Sequence, residues 1–405
     1  MAVRSENIRP VRSRKAVHNK KRRKKNLNRR VWIEEQDYFD YNLLAVVILL
    51  TCFGLVMLYS TSAYEALLQE ENDMFYFKKQ ALISAGAFIG VLIGSMVDYH
   101  FLATISMPIY GFSLFLLFIT RFIGREINGA RRWIYIGPIS FQPAELAKLA
   151  IILFLPFMIV KIGHKFKKWK APMTVMAFGL TSALFTYVFT ENLSTAVIIA
   201  VITFGLVFIA HPLTKPFIFI MLGGMGVVGI FLLILMNLVQ SSGSFRINRI
   251  LVWLDPEQYA SVGGYQIMQG LYAIGSGGFF GKGLGNSSQK LGALPEAQND
   301  MIFSIICEEL GVFGAILVIM MFVFMLYRLF FIAQNAPDLL GSLIASGIFI
   351  HIAVQVVLNI MVVTNMIPTT GITLPFISYG GTSILFLMAE MALALGISRQ
   401  IRFNP

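Results

Sequence analysis

Residues 41–61 read YNLLAVVILLTCFGLVMLYST, without a charged side chain. Wound as a helix at 1.5 Å per residue, such a run spans roughly 30 Å, the thickness of a bilayer's hydrocarbon core. Working outward, comparable runs fall at about 79–97, 101–121, 143–161, 172–189, 195–211, 215–237, 301–328, 340–364 and 376–398. The fold class expected is an all-α polytopic membrane protein with ten transmembrane helices and a large extracellular loop between the seventh and eighth. Composition agrees: of 405 residues, 57% are hydrophobic and 13% charged, against about 25% charged in soluble domains. A soluble globular chain and a disordered one are both excluded. The first apolar run begins near residue 41 without a small-residue cleavage site, so no cleavable signal peptide is expected. Cys52 and Cys307 each lie inside an apolar run and read as packing residues.

The formal net charge is +12, and its location decides its meaning. Residues 1–40 hold thirteen Lys and Arg against five Asp and Glu, with no apolar periodicity. They read as a disordered basic cytoplasmic tail that orients the protein and touches anionic lipid, not as a nucleic-acid site. The remainder, 41–405, is the ten-helix domain. Basic residues gather on the cytoplasmic side of a membrane. The loop KIGHKFKKWKA (161–171) carries five lysines and no acid, and Lys215, Arg328, Arg399 and Arg402 fall on the same side as the tail. Glu65, Glu70, Glu71 and Asp73 fall on the other. Ten spans with both termini cytoplasmic satisfy this pattern. Two outer segments break it: 121–132, with Arg121, Arg125, Arg131 and Arg132, and the long segment 238–300, expected to fold over the outer face. Unstructured loops of that length are usually functional.

Several motifs point into this outer region. GSGGFFGKGLGNS (275–287) fails the Walker and dinucleotide patterns. It reads either as a tight loop needing positive φ or as backbone amides and Lys282 approaching an anion. LPEAQNDMIFSIICEELG (294–311) places Glu296 and Asp300 just before a span and Glu308 and Glu309 further in. An acid well inside a bilayer costs about 2.5–3.5 kcal/mol and lines a wet site. In FQPAELAKLA (141–150), Pro143 starts a helix, while Glu145 and Lys148 share a face. They either neutralise each other or face the cavity of Asp300. His351, Gln355 and Asn359 form a polar stripe suited to interhelical hydrogen bonds. PTTGITLPFISYGG (368–381) is too rich in Gly and Pro for a helix. With 125–142 it is expected to wall a pocket.

The pieces NGARRWI (128–134), QPAELAKL (142–149), RINRILVWLDP (246–256), GYQIMQGLYAIGSGGFFGKGLGNSSQKLGALPEAQNDMIF (264–303) and PTTGITLPFISYGG run in order along the chain. Together they resemble the SEDS family, the FtsW/RodA/SpoVE group, and GLGNSSQKLGALPEAQND is more similar to division-type FtsW and sporulation SpoVE than to RodA. The resemblance implies a peptidoglycan glycosyltransferase that joins lipid II units by β-1,4 bonds and releases undecaprenyl diphosphate. It implies a class B penicillin-binding protein (a transpeptidase) and other divisome proteins as partners, in the bacterial plasma membrane at the division septum. It places the catalytic aspartate at Asp300, the acid–lysine pair at Glu145 and Lys148, and an important aromatic at Trp133. TENLST (190–195) departs from the family's Q-P-D-L-G-T, because Asn192 supplies no carboxylate.

Inverting glycosyl transfer needs a base for the acceptor's 4-hydroxyl, and a diphosphate departs without an acid. Asp300 is the candidate base. Arg131, Arg132, Arg246, Arg249, Lys282 and Lys290 are candidates to hold the diphosphate, with Glu296 beside the site. A divalent cation, Mg or Mn, could share that work, although no ligand cluster demands one. A lipid II flippase is the alternative reading, and a non-catalytic scaffold a third.

Overall fold

A computed structural model of the chain describes residues 38–127, 130–137, 139–219, 223 and 245–402. The basic tail before Tyr38 and most of the expected seventh span, 215–237, lie outside the described residues. Helices occupy Tyr41–Glu70 (α1), Phe75–Gly94 (α2), Tyr99–Thr104 (α3), Ser106–Ile123 (α4), Pro143–Ile162 (α5), Lys170–Thr190 (α6) and Leu193–Ala210 (α7). They continue with Phe245–Leu254 (α8), Gly264–Ser276 (α9), Ile302–Asn335 (α10), Leu339–Val363 (α11) and Ser383–Ser398 (α12). Among the described residues, eight of these are long and apolar enough to cross a membrane, and α12 is a shorter apolar helix. The protein is a multi-pass membrane protein.

α5 and α11 form the centre of the body that runs from Phe39 to Ile401. α5 buries Ala147, Ala150, Ile151, Ile152 and Leu155, and α11 buries Leu343, Ile344, Ala345, Ile348 and Ile352. α5 packs against α4, α6, α7 and α11. α1, with 30 residues, is about 45 Å long, so it outreaches the hydrocarbon. Caps fix where helices begin: Asp40 accepts from Leu43 N–H, Asn192 from Thr195 N–H and Asp338 from Gly341 N–H. At the end of the body where α1 starts, buried Arg328 of α10 donates to both Asp40 oxygens, and Asp40 N–H donates to Ser398 of α12.

The sequence reading differs from the structure in three places. The segment after α4 is a small antiparallel meander, with Arg125–Ile127 (β1), Ala130–Ile136 (β2) and Ile139–Phe141 (β3) paired in chain order. The long segment is not a bare loop. Its described part holds α8 and α9, joined by turns over 255–263, and becomes a long irregular loop after Ser276. The last span begins at Ser383 rather than 376, because the Gly- and Pro-bearing run before it stays non-helical.

α10 is broken at Gly311, whose φ of 67° and ψ of −166° no helix contains. A break strands backbone carbonyls and amides inside a membrane, where each needs a partner. The Gly-rich loop supplies them: Lys282 and Gly283 N–H donate to the Glu308 and Glu309 carbonyls, and Val312 and Phe313 N–H donate to Gly278 and Phe279. The approach admits no side chain at Gly281, where a Cβ would sit 2.2 Å from the Glu309 carbonyl oxygen.

Candidate active site

The helix starts converge on one cavity of about 460 Å³, within the range of small-molecule sites. Gln142 and Glu145 enter it at the start of α5, Asn192, Ser194 and Thr195 at the start of α7, and Gly381 and Ser383 at the start of α12. Asp300 lies just before α10. Unpaired N–H groups and the helix dipole make each helix start receptive to an anion. The cavity is also lined by Arg132, Trp133, Lys148, Arg249, Glu296, Asn299, Gln355 and Tyr379. Strand alternation puts Trp133 and Tyr135 on one face of β2, and both border the cavity.

Asp300 is held by its backbone. Its carbonyl accepts from Asn359 Nδ2 at 2.9 Å, and the same nitrogen donates to Ile372 O at 2.7 Å. The polar stripe on α11 therefore fastens Asp300 and the 368–381 segment together. The carboxylate has one oxygen, Oδ1, without a hydrogen-bond partner among the described residues. Removal from water and the Glu296 carboxylate raise its pKa to about 7, against a backbone hydrogen bond and the Arg249 charge, which lower it.

Two guanidiniums face it. Arg249 donates to Thr369 O at 3.0 Å, and Arg132 donates to Glu191 O at 3.3 Å, leaving the buried Nε of Arg132 without a hydrogen bond among the described residues. Burial lowers the pKa of both. The Arg249 charge adds to this at Arg132, while Asp300 opposes it at Arg249. Both remain cations, since a guanidinium keeps its proton far above physiological pH. At the floor, buried Lys148 lies 3.0 Å from Glu145 Oε1 and donates to Gln355 Oε1 at 3.1 Å. The two readings of Glu145 and Lys148 thus hold together: they pair, and they line the cavity.

Other expected site residues lie elsewhere. Lys282 and Lys290 lie outside the cavity lining, engaged by the buried acids of α10. Lys282 meets Glu308 at 2.6 Å, and Lys290 meets Glu309 at 2.7 Å and Ser60 of α1 at 2.9 Å. A buried carboxylate requires such partners, so these lysines clamp the loop to α10. Glu308 also accepts from Ser287 and Ser288. Arg131 likewise turns away from the cavity, toward Glu126 and the Arg121 carbonyl. Arg246 lies in α8, and its side chain is outside the described ones. Among the described residues no group of three or more His, Cys, Asp or Glu is gathered for a metal; a Mg or Mn ion would find Asp300 and Glu296 as cavity carboxylates beside Glu145, which Lys148 pairs. Ser140, Gln142, Ser194, Thr195, Gln266 and Ser383 were not foreseen. The signal for several of them is adjacency to a helix start.

The family model of the cell cycle proteins, FTSW_RODA_SPOVE, matches residues 40–402. The chain belongs to the FtsW/RodA/SpoVE family. Stage V sporulation protein E of Bacillus subtilis is 38% identical over 90% of this chain and 98% of its own. A protein of Geobacter sp. strain M18 named probable peptidoglycan glycosyltransferase FtsW is 34% identical over 90% and 98%. A chain solved in a peptidoglycan synthase complex superposes with a TM-score of 0.73 at 26% identity, covering 91% of this chain and 98% of its own. The match to the FtsW/RodA/SpoVE family thus spans the whole described body.

Proposed function

We propose that this FtsW/RodA/SpoVE protein is a peptidoglycan glycosyltransferase that polymerises lipid II, with Asp300 as the base. The observation that carries the assignment of the base is the unpartnered Asp300 oxygen in a cavity whose cations are Arg132, Arg249 and Lys148. A base works best with a pKa near the working pH, and Asp300 is held near 7. It takes the proton of the acceptor's 4-hydroxyl as that oxygen attacks the donor's anomeric carbon, and the sugar–diphosphate bond breaks. Arg132, Arg249, Lys148 and the helix starts stabilise the charge that the diphosphate acquires. The cavity end of the body is the outer face, both termini are cytoplasmic, and 238–300 is the catalytic loop. The partner is a class B penicillin-binding protein, and the place of work is the division septum. A fluorescent fusion seen only in sporulating cells would reassign the stage and leave the chemistry intact.

The polar lining favours an enzyme over a flippase. Below Lys148, α5 continues as buried Ala150, Ile151, Ile152, Leu153, Phe154 and Leu155, which offer a sugar headgroup no hydrogen bonds. The test is polymerisation of purified lipid II by the chain with its transpeptidase partner. Asp300→Asn should abolish glycan chains while leaving the complex assembled. Glycan at the wild-type rate would refute the assignment of the base.

A further inference from the structure

α11 and α12 bury a titratable pair that the reaction at Asp300 leaves unused. His351 is 1% exposed and Glu390 0%, and His351 Nδ1 lies 2.8 Å from Glu390 Oε2. Each sits at the middle of its helix, Leu339–Val363 and Ser383–Ser398 respectively. An ionisable residue at the centre of a span is costly and is retained for a function.

Hydrogen-bond accounting joins this pair to the cavity. Lys148 Nζ can only donate, so the Gln355 atom it meets at 3.1 Å is the carboxamide oxygen. The amide nitrogen of Gln355 donates to Thr373 O at 3.1 Å, which agrees. His351 Nε2 lies 2.9 Å from that same oxygen and must carry a hydrogen. One further proton then lies between His351 Nδ1 and Glu390, on either partner. The ring is oriented from one side by Glu390 and from the other holds Gln355. Lys148 donates one N–H to Gln355 and is ion-paired with Glu145 at 3.0 Å. It meets no further acceptor among the described residues, and Lys148 lines the cavity, so an ammonium N–H is left for it.

We propose that His351 and Glu390 are positioning residues: they hold the Gln355 oxygen on Lys148, so that one ammonium N–H stays presented to an anionic group of the substrate. This rests on the reading of the cavity as the glycosyl-transfer site. Without the His351 donor the carboxamide tilts and Lys148 follows it. Interhelical hydrogen bonds in membranes correspond to losses of about 3- to 20-fold when removed.

The experiment measures kcat/KM for lipid II with the full chain and its transpeptidase partner, alongside thermal unfolding of every variant. His351→Phe and Glu390→Leu should each lose about 3- to 20-fold. Glu390→Gln should recover to within about twofold of wild type, because its amide N–H still orients the ring through Nδ1. Gln355→Leu should mask the effect, with His351→Phe/Gln355→Leu no worse than Gln355→Leu alone. A purely structural pair would instead make Glu390→Gln as poor as Glu390→Leu and make the double loss multiplicative. Either result, or wild-type kcat/KM in His351→Phe, overturns the proposal. Should His351→Phe fail to fold, the contrast between Glu390→Gln and Glu390→Leu decides alone. Asp300→Asn serves as the reference. If it is inactive while His351→Phe is unimpaired, only the positioning role falls, whereas an active Asp300→Asn removes the catalytic reading itself.

Discussion

Replacing Asp300 by Asn keeps the side chain's size and removes its charge, so the stability of the variant reports the environment that tunes the proposed base. The carboxyl is raised from 3.8 to about 7. A carboxyl moved upward favours the fold while it is protonated, and that advantage is lost as the pH rises through about 7. The ionised form therefore costs stability, at most roughly 4 kcal/mol at 1.36 kcal/mol per pH unit and less where cavity water screens it. Of this, about 2 kcal/mol develops between pH 5.5 and pH 8.5. Asparagine carries none of it. Asp300→Asn should thus be more stabilising at pH 8.5 than at pH 5.5, by a Tm difference on the order of 2 °C for a chain of this size. Intrinsic-fluorescence melting of the purified protein at the two pH values gives the answer. An increment independent of pH would refute the argument that burial and Glu296 hold the proton. The same reasoning sets the acid limb of wild-type kcat/KM at about pH 7, and a midpoint near 4 would refute it equally.

Lys290→Met leaves Glu309 buried with Ser60 but no cation. Breaking such a pair costs about 3–5 kcal/mol, so Tm and glycan synthesis should both fall, and an unchanged Tm would show that the clamp does not hold the loop. Arg328→Leu leaves Asp40 unpaired at the far end of the body. It should lose comparable stability while kcat per folded molecule stays within about twofold of wild type, and a larger loss of kcat would contradict that separation. Asn192→Asp retains the cap on α7 and adds a negative charge to the cavity. KM for lipid II should rise of order tenfold and the acid limb should move above pH 7. An unaltered pH profile would mean that position 192 is electrically remote from Asp300.

Most of the architecture is legible in the sequence, because lipid forces apolar runs of fixed length and leaves charges only where a cavity or an end receives them. Asp300 stood out for that reason, as did Glu145 and Lys148. Sorting the cations was a different matter. Arg249 and Lys282 look alike as charges on one outer segment, and only the acids they meet distinguish them. Those acids, Glu308 and Glu309, sit within a run that reads as one continuous helix, and the break at Gly311 brings the loop against them. A charged doublet deep in an apolar span, with a glycine two residues after it, was the available signal. The partner of His351 was equally hidden, since Glu390 lies 39 residues away and local spacing says nothing about which helix will face it. The meander at 125–141 escaped because three short strands leave little periodicity, and its register, with Ile134 opposite Phe141, is a pairing between segments.

The break in α10 bears on how the protein is made. Its carbonyls at Glu308 and Glu309 and its amides at Val312 and Phe313 are completed by residues 278–283, which precede α10 in the chain. That span cannot enter the bilayer as a finished hydrophobic rod. Its backbone is satisfied in lipid only with the preceding loop beside it, so the loop and the span are stable in the membrane together and not apart. Asp300 lies between the two in sequence, on the segment that this pairing closes at both ends.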